Sequence, residues 1–182
     1  MIPMPGTPPA LDPACSDDDR FASQKVLWVG RVQTEKRINW FLEIAARLTR
    51  YQFAIVGPPD LPEVEMARVL KVVDETPNLE YVGKIPGSEM PAIYQSAALL
   101  CCTSVFEGFP NTFLEAWSYG LPVVTTFDPD NLVAERGLGL PGQDPAELSD
   151  AIKKILGDRP TWSRFGDNAR RYFAQYHEPE KV

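Results

Sequence analysis

Five short β-rich runs, the first four each followed by a stretch with helical spacing, constrain this chain more than any other feature. They are KVLWVG (25–30), QFAIVG (52–57), NLEYVG (78–83), ALLCCT (98–103) and LPVVTT (121–126). The first two are near-continuous apolar strands, the kind buried on both faces of a parallel sheet. Between them Ile38, Phe41, Leu42, Ala45 and Leu48 recur at helical spacing, which predicts a helix. Further helices are expected over 61–75, with Val64, Ala67, Val69, Leu70 and Val73 available for the inner side, over SEMPAIYQSA (88–97), and over 111–119. GLGL (137–140) reads as a short sixth strand, followed by a helix in DPAELSDAIKKIL and a last one over 162–176. Strand alternating with helix implies right-handed crossovers and an α/β fold, a doubly wound, Rossmann-like parallel sheet of about six strands. Ligands of such sheets sit at the carboxyl ends of the strands, so the informative residues should follow the strands.

Composition narrows the rest. A chain of 182 residues with 44% hydrophobic and 24% charged content suits one domain with a full core. A net charge of -7 argues against general nucleic-acid binding, which needs a basic field. The three cysteines are an odd count, and Cys101 and Cys102 lie side by side in an apolar run; they read as buried small hydrophobes in a reduced compartment. With the single histidine at 177, neither a zinc site nor a histidine triad is expected. No apolar run approaches the roughly 20 residues of a membrane span. The opening MIPMPGTPPALDPACSDDD is too rich in proline and too poor in Lys and Arg for a signal peptide, and residues 1–24 read as a linker or arm ahead of a domain over 25–182.

The chemistry lies in two loops. After the first strand come Gly30, Arg31 and Lys36, a glycine that admits close backbone approach and two cations suited to a diphosphate. After the fourth comes TSVFEGFPNTFLEA, where Pro110 suits the first helical position and leaves the N–H groups of Asn111, Thr112 and Phe113 facing outward. Such a helix end favours anions. Glu107 and Glu115 flank it, separated by seven residues. Carboxylates beside a phosphate need other partners, and hydroxyls are the natural ones, since one carboxylate accepts two. A diphosphate on the helix end with a hydroxyl-rich ring on either side is a sugar nucleotide. Taken singly each residue has a plainer reading: Arg31 and Lys36 as surface charges beside Glu35, Glu107 as a solvated loop residue, and Glu115 as a helix-dipole charge.

These residues carry a resemblance. VGRVQTEKRINWFLEIAARL, VGKIPGSEMPAIYQSA and EGFPNTFLEAWSYGLPVVTT resemble the C-terminal, donor-binding domain of GT-B retaining glycosyltransferases of the glycosyltransferase 4 type, the glycosyl transferases group 1. The family's Glu-x7-Glu signature is met by Glu107 and Glu115. The resemblance implies one half of a GT-B fold that binds a nucleoside-diphosphate sugar. It implies transfer with retention, without a cofactor or an active-site metal. Arg31 and Lys36 would bind the diphosphate, Glu107 would lie near the transferred sugar, and Glu115 would hold the ribose. Phe109, Pro110, Asn111 and Thr112, with Gly108, match the segment facing sugar and phosphates; Gly83, Lys84, Ile85 and Pro86 match the loop bordering the base.

Two departures stand out. The N-terminal acceptor domain of the family is absent, so the chain is expected to be an excised half that binds donor weakly and transfers little alone, with cytoplasmic location and any membrane contact belonging to the missing half. The segment TTFDPDNLVAERGLGLPGQDPAEL is shorter than the family's, with no glycine pair after the strand. Other readings stay open: another GT-B enzyme such as a sugar-nucleotide epimerase, or a non-catalytic partner-binding module. Trp28, Phe41, Phe113 and Trp117 are expected in the core; Trp40, Trp162 and Tyr172 in packing or interdomain surface; His177 exposed; Asp17 to Asp19 solvated.

Overall fold

A computed structural model describes residues 16–177. Among these residues six strands form: β1 (Lys25–Val29), β2 (Gln52–Val56), β3 (Leu79–Gly83), β4 (Leu99–Cys102), β5 (Val123–Thr125) and β6 (Gly139–Pro141). They make one sheet in the order β3-β2-β1-β4-β5-β6, with every neighbouring pair parallel. The sheet is doubly wound as expected.

Alternation along each strand divides the core in two. Val26 and Trp28 of β1, Phe53 and Ile55 of β2, and Leu99 and Cys101 of β4 share one cluster. Leu27, Ala54, Val56, Leu100 and Val123 belong to a second. Successive strand residues point to opposite faces, so a strand buried on both sides feeds both cores. Helix α2 (Ile38–Arg47), α3 (Glu63–Asp74) and α7 (Pro145–Leu156) close the first face. On the second lie α4 (Met90–Ser96), α5 (Asn111–Ser118) and α6 (Leu132–Glu135). The last helix, α8 (Arg159–Tyr176), serves both, with Trp162 and Phe165 in one cluster and Ala169 and Phe173 in the other. Asp144 and Asp158 start α7 and α8 by accepting the N–H of Glu147 (2.8 Å) and Thr161 (2.9 Å).

Two expectations need correction. Residues Asp17–Ser23 form a helix, α1, belonging to the folded unit and not to an arm. Ser16 and Asp19 make a reciprocal cap, Asp17 pairs with Arg20 (3.1 Å) and Arg170 (2.6 Å), and Asp18 with Arg159 (2.7 Å). Arg20 is buried and Phe21 packs on Trp162; Asp17 is half-buried, while Asp18 and Asp19 remain solvent-exposed, as expected, and still make these contacts. Trp162 is the second correction: it is core, 1% exposed, and its indole N–H donates to Ala98 O (2.6 Å). The arm reading of residues 1–15, Cys15 included, lies outside the described residues.

The sheet order places β1 beside β4, with the chain winding outward from that pair in opposite directions. The topological switch point, where ligands of such sheets bind, therefore lies at the carboxyl ends of β1 and β4. Both candidate loops sit there.

Candidate functional site

The loop after β1 is anchored by Gly30, whose N–H donates to Val56 O (3.0 Å), and by a bridge between Val32 and Pro59. A tight 3-10 turn, Thr34–Lys36, then leads through Arg37 in a left-handed conformation (φ 46°) into α2. This turn aims Lys36 at the loop after β4. Its ammonium forms an ion pair with the Glu107 carboxylate, and Glu107 Oε1 also accepts from the Ser104 hydroxyl (2.6 Å). Both partners of the pair are largely buried.

The two loops are tied together behind that pair. Val105 N–H donates to Glu35 O (2.8 Å). Fully buried Thr103 accepts from the Trp28 indole (3.1 Å) and donates to Lys36 O (2.6 Å). One hydroxyl thus serves a buried donor and a buried acceptor, so its removal orphans both. Thr103→Val is expected to cost about 1–3 kcal/mol of stability, read as a lower denaturant midpoint at unchanged slope.

At the start of α5 the backbone differs from expectation in detail. Pro110 is the N-cap, with extended ψ (116°), not the first helical residue, and its carbonyl accepts from Phe113 N–H (3.0 Å). Phe113 N–H is therefore engaged, whereas the N–H groups of Asn111 and Thr112 have no partner among the described residues. Pro110 still fixes the chain direction at the helix start. Its own N, lacking a hydrogen, leaves nothing unsatisfied. Gly108 lies directly before this turn, and a Cβ built on it would meet nothing within 4 Å. Phe109 is half-exposed and stands edge-on to Trp117, its ring also close to His177 (6.3 Å). His177, expected to be exposed, is half-buried among the Phe109, Tyr172 and Phe173 rings, because α8 runs back toward this turn.

Glu115, one turn into α5, accepts from the buried Tyr94 hydroxyl (2.5 Å). Burial, and then the Glu115 carboxylate, hold the Tyr94 phenol well above its ordinary pKa, so it remains a proton donor in this bond.

Beyond β1 a crevice of about 310 Å³ opens, lined by Gly30, Arg31, Gly57, Lys84, Ile85 and Met90 among others. Arg31 is mostly exposed, 3.9 Å from Asp60, a loose surface pair worth little. The structure thus sorts the expected residues into groups on one end of the sheet. Lys36 joins Glu107, in the loop that leads into α5; Arg31, Gly30, Lys84 and Ile85 line the crevice; Glu115 pairs with Tyr94. Arg31 and Lys36, close in sequence, have different ionic partners. Sequence reasoning missed Gly57, Met90, Tyr94, Thr103 and Ser104. For Gly57 a signal existed, since three strands end in glycine. Tyr94 and Thr103 act through contacts distant in sequence that no local pattern announces.

Among the described residues no group of three or more His, Cys, Asp or Glu is arranged to hold a metal ion. No helix among them is long and apolar enough to cross a membrane.

The family model for glycosyl transferases group 1 matches residues 23–158. A D-inositol 3-phosphate glycosyltransferase of Corynebacterium urealyticum is 31% identical over 187 residues, covering 94% of this chain and 44% of that protein. The sucrose-phosphate synthase structure from Thermosynechococcus elongatus superposes with a TM-score of 0.76 at 27% identity, over 91% of this chain and 43% of that one. The C-terminal domain of a glycosyl transferase group 1 family protein from Francisella tularensis, 15% identical, shares the fold over 89% of this chain and 94% of its own (TM-score 0.77). The chain spans less than half the length of the curated relatives it matches.

Proposed function

The chain belongs to the glycosyl transferases group 1 family, and we propose that it is the donor-binding half of a retaining, metal-independent enzyme that moves a sugar from a nucleoside diphosphate to an acceptor. The observation that carries this is the arrangement at the end of β4. The Lys36–Glu107 pair stands in the same loop system as the two unengaged amides of α5, with Glu115 one turn further on. The amides and Lys36 are chemically suited to phosphate oxygens, and the carboxylates to hydroxyls.

In the proposed mechanism the nucleotide base enters the crevice bordered by Gly30, Lys84, Ile85 and Met90. The ribose rests on Glu115, and the diphosphate on the α5 amides, Lys36 and Arg31. Glu107 holds the transferred sugar while its other oxygen remains on Ser104 and Lys36. As the glycosidic bond breaks, charge builds on the leaving diphosphate. The ammonium and amide dipoles stabilise it without reorganising, which is the work a divalent ion does elsewhere. A second domain supplies the acceptor and the other wall of the cleft, and this chain alone orients no acceptor and excludes little water.

Ligand-observed NMR of this chain with UDP-, GDP- and ADP-sugars tests the proposal. Saturation transfer to one nucleotide class, retained in EDTA and weakened in Glu115→Ala, is the expected result. Absence of transfer to all three classes, from a folded chain, would refute donor binding.

A further inference from the structure

Glu115 lies in a helix that presents it to the crevice end of the sheet, yet a glutamate is a poor recognition element when free to rotate. It has three side-chain torsions, and a carboxylate that grips two neighbouring hydroxyls must keep its plane fixed. Here one oxygen is already taken. Tyr94, only 1% exposed, donates to Glu115 Oε2, while Oε1 has no partner among the described residues. Tyr94 is itself held in place: its ring stacks on Tyr119 at 5.5 Å and an interplanar angle of 10°. The other titratable group facing Tyr94 is Tyr119, from the end of α5.

The helix that carries Tyr94 adds a second observation. In α4, Met90 and Tyr94 are four residues apart and so lie on one face. Met90 lines the crevice beside Ile85, and Tyr94 meets Glu115. One seven-residue helix therefore connects the crevice to the carboxylate, spanning the step between a base and its ribose.

We propose that Tyr94 is a positioning residue for ribose recognition: its hydroxyl fixes the Glu115 carboxylate so that Oε1 and the remaining lone pairs face the ribose diol. This rests on the donor-site reading above. Tyr94 touches no ligand in this scheme and acts only through Glu115. Loss of its hydroxyl should weaken the response to ribose hydroxyls and leave phosphate binding alone.

The test is calorimetric titration of this chain with UDP, GDP and ADP, with their 2′-deoxy counterparts and with inorganic pyrophosphate. The wild type should prefer the ribonucleotide over its 2′-deoxy form by about tenfold, the worth of a hydrogen bond to a charged group. Tyr94→Phe should reduce that preference to about threefold or less, with pyrophosphate affinity unchanged within about twofold. Glu115→Ala should abolish the preference, and adding Tyr94→Phe to it should change nothing further, because the hydroxyl has no second route to the ligand. A Tyr94→Phe chain that keeps the full preference while Glu115→Ala loses it overturns the proposal and leaves Tyr94 a packing residue. Wild-type chain that binds none of the three diphosphates is a different result, which sinks the donor-site reading itself. Should Tyr94→Phe fail to fold, 3-fluorotyrosine placed at position 94 replaces it. Its fluorine resonance should shift with the ribonucleotide and not with pyrophosphate, and equal shifts with both would overturn the proposal.

Discussion

Lys36→Ala is expected to weaken nucleoside-diphosphate binding by about 10–100-fold, and Glu107→Gln to strengthen it by about three- to tenfold, although both remove the same ion pair. The opposite signs follow from what each partner does when a diphosphate arrives. Without ligand, Lys36 is neutralised by Glu107, and the side chains are only 23% and 18% exposed. At an effective dielectric near 20, two unit charges 4 Å apart interact by about 4 kcal/mol, so competition for the ammonium is not negligible. A phosphate must share Lys36 with a carboxylate and also tolerate that carboxylate beside it. The neutral amide of Glu107→Gln can still accept from Ser104, which preserves the loop, and it frees the ammonium. Lys36→Ala does the reverse: it removes the cation and leaves Glu107 unpaired next to the incoming anion. The gain in binding should not become a gain in catalysis. In a full-length enzyme, Glu107→Gln should lower transfer at least about 100-fold while tightening the product diphosphate, since the hydroxyl-gripping charge is lost. Calorimetry on this chain and turnover in a full-length enzyme give the two readings. If both substitutions weaken diphosphate binding equally, the pair grips the ligand as a unit and Glu107 is no competitor.

The sheet was legible because the apolar runs are its own record. Leu27 faces one core and Val26 and Trp28 the other, so a strand buried on both faces shows as unbroken hydrophobic sequence. The helices behind it were legible at the spacing of Ile38, Phe41, Leu42 and Ala45. Helix α1 was not. It follows a proline-rich stretch and rests on Ser16, three aspartates and Arg20, whose ion pairs to α8 join residues more than 140 positions apart. The candidate site shows the same division. Glu107, Gly108 and the α5 start form one contiguous segment, and the chemistry of a helix end can be read there directly. The grouping of charges could not be. Sequence proximity pairs Lys36 with Arg31, yet Lys36 finds Glu107, 71 residues on, and Arg31 turns toward Asp60. Thr103 is a strand-end residue of no special appearance, and only the meeting of β1 and β4 gives its hydroxyl Trp28 on one side and Lys36 on the other.

Gly57→Ala and Gly30→Ala should separate a glycine that the fold requires from one that a ligand requires. Gly57 has φ +144°, a region L side chains rarely enter, and a Cβ there would lie 1.8 Å from the Gly30 carbonyl oxygen. The backbone has little room to yield. Gly57 N–H donates to Gly83 O (2.8 Å), its own carbonyl accepts from Tyr81 OH (3.0 Å), and the adjacent Val56 carbonyl holds Gly30 N–H. Shifting it far enough to clear the clash would break the β1–β2–β3 edge at its carboxyl ends. Strain and lost hydrogen bonds together should cost about 3–5 kcal/mol, or a fall in Tm of roughly 6–20 °C for a chain of this size. Gly30 is the contrasting case. Its φ lies outside the left-handed region, and a Cβ would meet Trp28 at 3.5 Å and Lys36 at 3.9 Å, ordinary contacts. Nothing among the described residues demands glycine at position 30. Gly30→Ala should therefore melt within about 1 kcal/mol of the wild type yet bind nucleoside diphosphate at least about tenfold more weakly, because the added methyl occupies the crevice wall. A Gly30→Ala chain as unstable as Gly57→Ala would mean that both glycines serve the sheet and that the first loop is not where the diphosphate approaches.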